Sequence, residues 1–194
     1  MTLVLASTSA SRRRMLTAAG IAHEAVAPGV DEDAAKAALS HLDGRGLADA
    51  LAELKAVKIS ARRPGDLVLG CDSTVELDDG TMLDKPGDEL AAQLRMLSGR
   101  THRLHSAVVA AEGGVPVWRH VARATLSVRP LGEDFIAEYV ALEGKEAVGC
   151  VGGYRLEGPG VQLFSRIDGD SFVIQGLPML PLLDWLRVRG IMTS

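Results

Sequence analysis

The chain has 194 residues, a net charge of −4, 47% hydrophobic residues and 24% charged ones. This mixture fits one folded domain with a sizeable core and excludes a disordered chain. The acidic balance argues against broad electrostatic binding of nucleic acid, and no run is long and apolar enough to span a bilayer. Two cysteines, Cys71 and Cys150, make no disulfide framework and point to a reducing cytoplasm. The apolar start is too short for a signal peptide, and arginines follow it instead of preceding it.

Leu3 to Ala6 reads as a short apolar strand. A hydroxyl-rich turn follows, with Ser7, Thr8, Ser9 and Ser11. The spacing then predicts a helix from Arg12 to Ala19, with Ser9 or Ser11 as N-cap and Gly20 as its stop. Arg12, Arg13 and Arg14 fall in the first turn, where the helix dipole disfavours cations. Hydroxyls, unpaired backbone N–H groups and guanidinium groups at one corner make a site for an anion, most simply a phosphate chain. The competing reading is a solvated arginine cluster swept away from the dipole.

His23 to Ala27 is strand-like, and Pro28-Gly29 is a turn. Val30-Asp31-Glu32-Asp33 precedes an alanine-rich stretch. Taken alone, these carboxylates read first as a helix start; the alternative is a ligand for a hard divalent cation such as Mg²⁺ or Mn²⁺. Leu47 to Arg62 reads as a helix whose apolar face is Leu47, Leu51, Leu54 and Ile59. Lys55 and Lys58 lie along it, where a lysine is usually solvated. Pro64-Gly65 ends this helix.

Asp66 to Leu77 reads as a buried strand with Asp72 in its middle. A carboxylate there is costly to bury without a partner, so Asp72 is a candidate general base or metal ligand. Cys71 points to the opposite face and reads as core filler. Asp78-Asp79-Gly80 is a hairpin turn. Lys85, extended by the proline that follows it, aims back toward Asp72, unless it is an ordinary loop lysine.

Asp88 to Leu97 is an amphipathic helix with Leu90, Leu94 and Leu97 on one side. Thr101 to Ala111 and Val115 to Val128 are two long strands joined at Glu112-Gly113-Gly114. His102 and His105 fall on opposite faces of the first and cannot chelate one ion together, which leaves them structural or at the surface. Glu133 to Leu142 is a helix with Phe135, Ile136, Tyr139 and Val140 as its apolar side. The glycine-rich stretch from Gly149 to Gly160 matches neither a Walker A pattern nor the dinucleotide fingerprint, yet lets a backbone approach a base closely. Val161 to Ile167 reads as a strand, Asp168-Gly169-Asp170 as a turn, and Met179 to Arg189 as a last helix ended by Gly190.

Taken in order, these pieces resemble the Maf family of nucleoside triphosphate pyrophosphatases. The early motifs are Leu5-Ala6-Ser7-x-Ser9 followed by arginines, Val30-Asp31-Glu32, Lys55-Ala56, Gly70-x-Asp72-Ser73 and Lys85-Pro86. Later come Leu97-Ser98-Gly99-Arg100-Thr101-His102, Tyr154-x-x-Glu157-Gly158-x-Gly160, Ile167-x-Gly169-Asp170 and Gly176-Leu177-Pro178. Each is weak alone, but together they span nearly the whole chain as a single domain over residues 1–194. The resemblance implies an α/β fold of the Maf/ITPase type. Its long twisted mixed sheet is flanked by helices, with a cleft between two lobes.

The resemblance also implies hydrolysis between the α- and β-phosphates, a required divalent metal, and a cytoplasmic homodimer. Asp72 matches the family's proton acceptor and Glu32 an acidic residue near the metal. Ser7, Arg12, Lys55 and Lys85 match phosphate-facing positions, and Arg13 matches more loosely. Three positions bear on base choice. Ser11 and Ser73 depart from the dTTP/UTP-preferring branch, which has Arg and Thr there. Glu157 replaces that branch's Gln and resembles the branch that prefers 7-methyl-GTP. A carboxylate only accepts, which suits the paired N1–H and N2–H donors of guanine and a positively charged 7-methylated ring. The Trp and the Gln that this second branch carries at the Ser11 and Ser73 positions are absent here. The rival readings are a dTTP/UTP pyrophosphatase, a regulatory nucleotide-binding protein of septum formation with little turnover, and a DNA-binding protein using Arg12 to Arg14.

Overall fold

The computed structural model describes residues 1–193. Its centre is one mixed sheet of seven strands. These are β1 (Leu3–Ala6), β2 (Glu24–Val26), β3 (Leu67–Leu77), β4 (Met82–Leu83), β5 (Thr101–Glu112), β6 (Val115–Val128) and β7 (Phe164–Asp168). The order is β2-β1-β3-β5-β6-β7, with β4 paired to the far end of β3. β1 runs parallel to β2 and β3, whereas β3, β5, β6 and β7 pair antiparallel. The long β5–β6 hairpin turns on two residues, Gly113 and Gly114, at φ 54° and 86°. A two-residue turn with both φ values positive matches strand twist and excludes most side chains.

Among the described residues, seven α-helices flank the sheet: α1 (Ala10–Ala18), α2 (Glu32–Ala38), α3 (Gly44–Ser60), α4 (Leu90–Leu97), α5 (Glu133–Ala147), α6 (Ser171–Ile174) and α7 (Met179–Val188). α3 lies directly on β3 and β5 through small residues: Ala48, Ala52 and Ala56 pack on Ala107, Val109 and Ala111. Gly70 sets the closeness. A Cβ there would lie 2.1 Å from the Ala52 carbonyl oxygen and 2.5 Å from the Ala56 nitrogen. The opposite face of β3 buries Leu67, Leu69 and Cys71 against Leu16 of α1 and Leu182 and Leu186 of α7. A separate cluster further along the sheet joins Val75, Leu77, Leu104 and Leu126 to Leu94 of α4 and Ile136 of α5. One sheet thus carries several separate hydrophobic clusters. Each fully buried leucine contributes about 1.5–3 kcal/mol to holding its cluster together.

Several expected elements shift. Of the apolar seam expected on α3, Leu47, Leu51 and Ile59 are buried, but Leu54 is 43% exposed, and Ala48, Ala52 and Ala56 widen the buried face on its other side. That shift puts Lys55 on the buried side. α5 runs past Leu142 to Ala147, because buried Glu143 finds a partner in Arg155 and the polar-looking end of the helix is therefore tolerated. The stretch read as one strand from Val161 begins instead as a 3₁₀ turn over Pro159–Leu163, and extended backbone starts at Phe164. Asp170 is less a turn residue than the N-cap of α6, accepting from the Phe172 N–H at 2.9 Å. The helix expected from Asp88 starts as a 3₁₀ turn over Gly87–Glu89 before α4.

Candidate active site

β1 stops at Ala6, opposite Gly70, while β3 continues to Leu77. Cys71, Asp72 and Ser73 therefore lie just beyond the carboxyl end of β1, where β3 has lost that neighbour. Open α/β sheets bind ligands at such strand ends. A cavity of about 380 Å³ opens there. Its wall carries six cationic side chains against four carboxylates, so a local excess of positive charge sits in an acidic chain.

The first wall is the strand–turn–helix corner. Ser9 caps α1, its side chain accepting from the Arg12 N–H. Ser7 is buried and accepts from the Ser9 N–H at 3.2 Å and from Arg12 Nη1 at 3.3 Å. Its own hydroxyl hydrogen is left to donate. Arg12 also donates from Nε to the Gly176 carbonyl at 2.7 Å, from Nη1 to the Cys71 carbonyl at 3.0 Å, and from Nη2 to Ser73 Oγ at 3.2 Å. The carbonyl dipoles solvate a guanidinium that the helix start repels. One side chain thereby ties α1, β3 and the loop before α7 together. Gly176, at φ 100°, leaves it room: a Cβ there would approach Ser73 Oγ and Arg12 to 3.2–3.4 Å. Ser73 Oγ also lies 3.2 Å from Ser106 Oγ, and Ser11 lines the cavity close by. Arg13 is exposed and does not line the cavity, whereas Arg14 does. A helix turns about 100° per residue, so only some of three consecutive arginines can face one way.

The second wall holds an ion-pair relay. Lys55 Nζ is 2.5 Å from Asp72 Oδ1 and 2.7 Å from Glu32 Oε1. Lys55 is 5% exposed and Asp72 7%. The α3 register on Gly70 brings them together. Lys85 does not reach back to Asp72 as expected; its ammonium pairs with Glu32 Oε2 at 3.6 Å and stays half exposed. Asp31 caps α2, which leaves Glu32 in its first turn to serve the cavity. Lys36, unread in the sequence, pairs with Asp84 beside it. Burial pushes the Asp72 carboxyl above the ordinary carboxylate range, and the charges of Lys55 and Arg12 oppose this only in part. For Glu32, partial burial acts upward, but the Lys55 hydrogen bond and the charges of Lys55, Lys85 and Lys36 hold it below that range. The two carboxylates converge on one ammonium. Among the described residues, no group of three or more His, Cys, Asp or Glu side chains is placed to hold a metal ion.

The far end of the cavity is the glycine-rich loop. Tyr154 is buried there, hydrogen-bonded to His102 at 2.7 Å and edge-on to Phe164 at 4.9 Å. His102 and His105 are both buried, and neither is a surface group. Gly152, at φ 84°, passes so close that a Cβ would lie 2.6 Å from the Tyr154 ring. Arg155 donates to buried Glu143 at 2.6 Å, anchoring the loop to α5. Glu157 lines the cavity, and Arg14 Nη2 donates to its Oε1 at 3.0 Å. The sequence reading missed Arg14, Arg155 and Glu143 as partners. For Glu143 a signal existed: it continues the Ile136 and Tyr139 face at helical spacing.

The arrangement thus brings together a buried carboxylate able to accept a proton, cations and a hydroxyl able to meet a polyanion, and a glycine-lined end closed by a carboxylate. Known proteins match this chain over nearly its whole length. A family profile described as "Maf-like protein" covers residues 2–189. A nucleoside triphosphate pyrophosphatase of Sphingopyxis alaskensis is 53% identical over 195 residues, covering 98% of each chain. Another of that name, from Caulobacter vibrioides, is 52% identical and covers 98% of this chain and 97% of its own. A 7-methyl-GTP pyrophosphatase of Rhizobium johnstonii is 46% identical and covers 97% of this chain and 96% of its own. With the profile running from β1 through α7 and so taking in every wall of the cavity, the chain belongs to the Maf-like protein family.

Proposed function

We propose that this chain, a nucleoside triphosphate pyrophosphatase by its family and relatives, splits the bond between the α- and β-phosphates and prefers a guanine-type base such as 7-methyl-GTP. The products are a nucleoside monophosphate and pyrophosphate. The observation that carries the reading is Asp72, a buried carboxylate held by Lys55 at the rim of a cationic cavity. Lys55 takes one carboxylate oxygen and leaves the other to accept a proton from an attacking water. Burial raises the Asp72 carboxyl above the ordinary carboxylate range, which makes it the stronger proton acceptor. Ser7, Lys85 and the fixed charge of Arg12 neutralise and orient the phosphates, which is most of what phosphoryl transfer asks of a protein.

Glu32 and Asp72 would hold the divalent cation, Mg²⁺ or Mn²⁺. The fit is chemical: Lys55 takes only one oxygen of each carboxylate, and such ions are commonly bound by one or two carboxylates plus phosphate oxygens and waters. When bound, the ion neutralises phosphate charge and makes a coordinated water more acidic. At the other end Glu157 faces the cavity as an acceptor-only group, which suits the donor edge of guanine and a cationic methylated ring better than an imide edge. Ser11 and Ser73 are small, and they leave room where larger side chains would narrow the cavity.

The test is pyrophosphate release from 7-methyl-GTP, GTP, UTP and dTTP with Mg²⁺ or Mn²⁺, for the wild type and Asp72→Asn. Turnover of the guanine nucleotides first, abolished in Asp72→Asn, is expected. A clear preference for UTP or dTTP removes Glu157 as a guanine reader. Tight nucleotide binding with no pyrophosphate released by the wild type would favour a regulatory binding role.

A further inference from the structure

We propose that Arg14 is a specificity-determining residue that sets base choice by holding Glu157; this rests on the reading of Glu157 as the base acceptor. Arg14 and Glu157 come from opposite walls, the first from α1 and the second from the glycine-rich loop. Arg14 Nη2 meets Glu157 Oε1 at 3.0 Å, and both side chains line the cavity. Arg14 has no other ion pair or hydrogen bond from its side chain among the described residues, and Glu157 has none besides Arg14. Arg12, two residues earlier, is consumed by Gly176, Cys71, Ser73 and Ser7. Arg14 is therefore the arginine of the cluster whose charge is spent at the base end.

Two consequences follow from chemistry. Glu157 sits on a loop, and a loose carboxylate on a loop pays rotamer entropy each time it meets a base. Held by Arg14 through one oxygen, it keeps the remaining lone pairs oriented for an N1–H and N2–H pair. This raises discrimination between guanine and uracil. The guanidinium also offsets the carboxylate charge, so a cationic 7-methylguanine gains less over neutral guanine than it would from a bare carboxylate. Arg14 thus favours donor edges in general while restraining the bonus for a charged ring.

The experiment is a nucleotide panel on the full chain with Mg²⁺, reading kcat and KM separately for GTP, 7-methyl-GTP and UTP. The proteins are the wild type, Arg14→Ala, Arg14→Lys, Glu157→Gln and the double variant Arg14→Ala with Glu157→Gln. In Arg14→Ala the GTP over UTP ratio of kcat/KM falls about two- to fivefold, the size of a partly exposed ion pair, with the loss in KM. The 7-methyl-GTP over GTP ratio rises. Arg14→Lys lies between, since it keeps the charge and loses the fork. In the Glu157→Gln background, Arg14→Ala changes neither ratio further. An equal loss for all three nucleotides, an unchanged GTP over UTP ratio, or a 7-methyl-GTP over GTP ratio that does not rise overturns the assignment. So does the same effect of Arg14→Ala with and without Glu157. If Glu157→Gln itself leaves the ratios in place, the base reading of Glu157 fails; if it moves them and Arg14→Ala does not, only the role of Arg14 fails.

Discussion

Replacing Lys55 by methionine removes the one ammonium that Asp72 and Glu32 share, at 2.5 and 2.7 Å. Methionine fills much the same volume, so packing of α3 on Gly70 is kept and the electrostatic loss is isolated. The Lys55 and Asp72 side chains are 6% and 10% exposed, which makes this a buried pair and not a surface one. Breaking a buried pair from one side costs about 3–5 kcal/mol, because the remaining charge is stranded. Asp72 escapes part of that cost by taking up a proton. Its carboxyl is already raised by burial, and losing Lys55 raises it further. Two measurements follow. Urea unfolding at neutral pH is expected to show a loss of several kcal/mol for Lys55→Met, and a much smaller one for Lys55→Met combined with Asp72→Asn. The acid limb of the kcat/KM profile in Lys55→Met is expected to move to higher pH, because ionised Asp72 is the active form. Lys58→Met, on the same helix but bonded among the described residues only to the Gly29 carbonyl, is the control and is expected to change stability by less than about 1 kcal/mol. A Lys55→Met protein as stable as the Lys58→Met one, with an unmoved acid limb, would refute the relay.

In the wild type, kcat/KM is expected to rise with pH through an apparent pKa above the ordinary carboxylate range, since burial raises Asp72, and Asp72→Asn should lower turnover at least about 100-fold. Gly70→Ala would press a Cβ into the Ala52 carbonyl, so α3 must lift; a loss of about 1–3 kcal/mol or more in thermal unfolding is expected, together with reduced turnover as Lys55 leaves Asp72. Burial pushes the His102 imidazole down to about 4, from 6.5. The unfolded chain therefore binds a proton that the folded chain refuses, and stability present above about pH 6.5 is lost as pH falls toward 4, by on the order of 3 kcal/mol. His102→Gln should flatten that part of a stability–pH curve measured by urea unfolding, while leaving the rest of the curve in place.

Local chemistry alone marked much of this molecule. β1 is bounded by an apolar run and a hydroxyl turn, and the β5–β6 hairpin by two glycines that only a tight turn accommodates. Asp72 stood out because a carboxylate inside an apolar strand demands a partner. The sequence alone did not name that partner. Lys55 looked solvated while Leu54 was placed in the seam of α3. The buried face is shifted away from Leu54 because Ala52 and Ala56 meet Gly70 closely, and Lys55 lies between them and the buried Leu47 and Leu51. The same holds for the arginines: periodicity puts Arg12, Arg13 and Arg14 at three angles, and only the packing of α1 on β3 decides that Arg12 turns inward, Arg13 outward and Arg14 toward Glu157. Lys85 meeting Glu32, His102 meeting Tyr154 and Glu143 meeting Arg155 join residues far apart in the chain. Residue type determines what chemistry a side chain can offer, and spacing determines its face. Which partner it meets depends on how elements distant in sequence lie across the sheet, and that is a property of the packed structure alone.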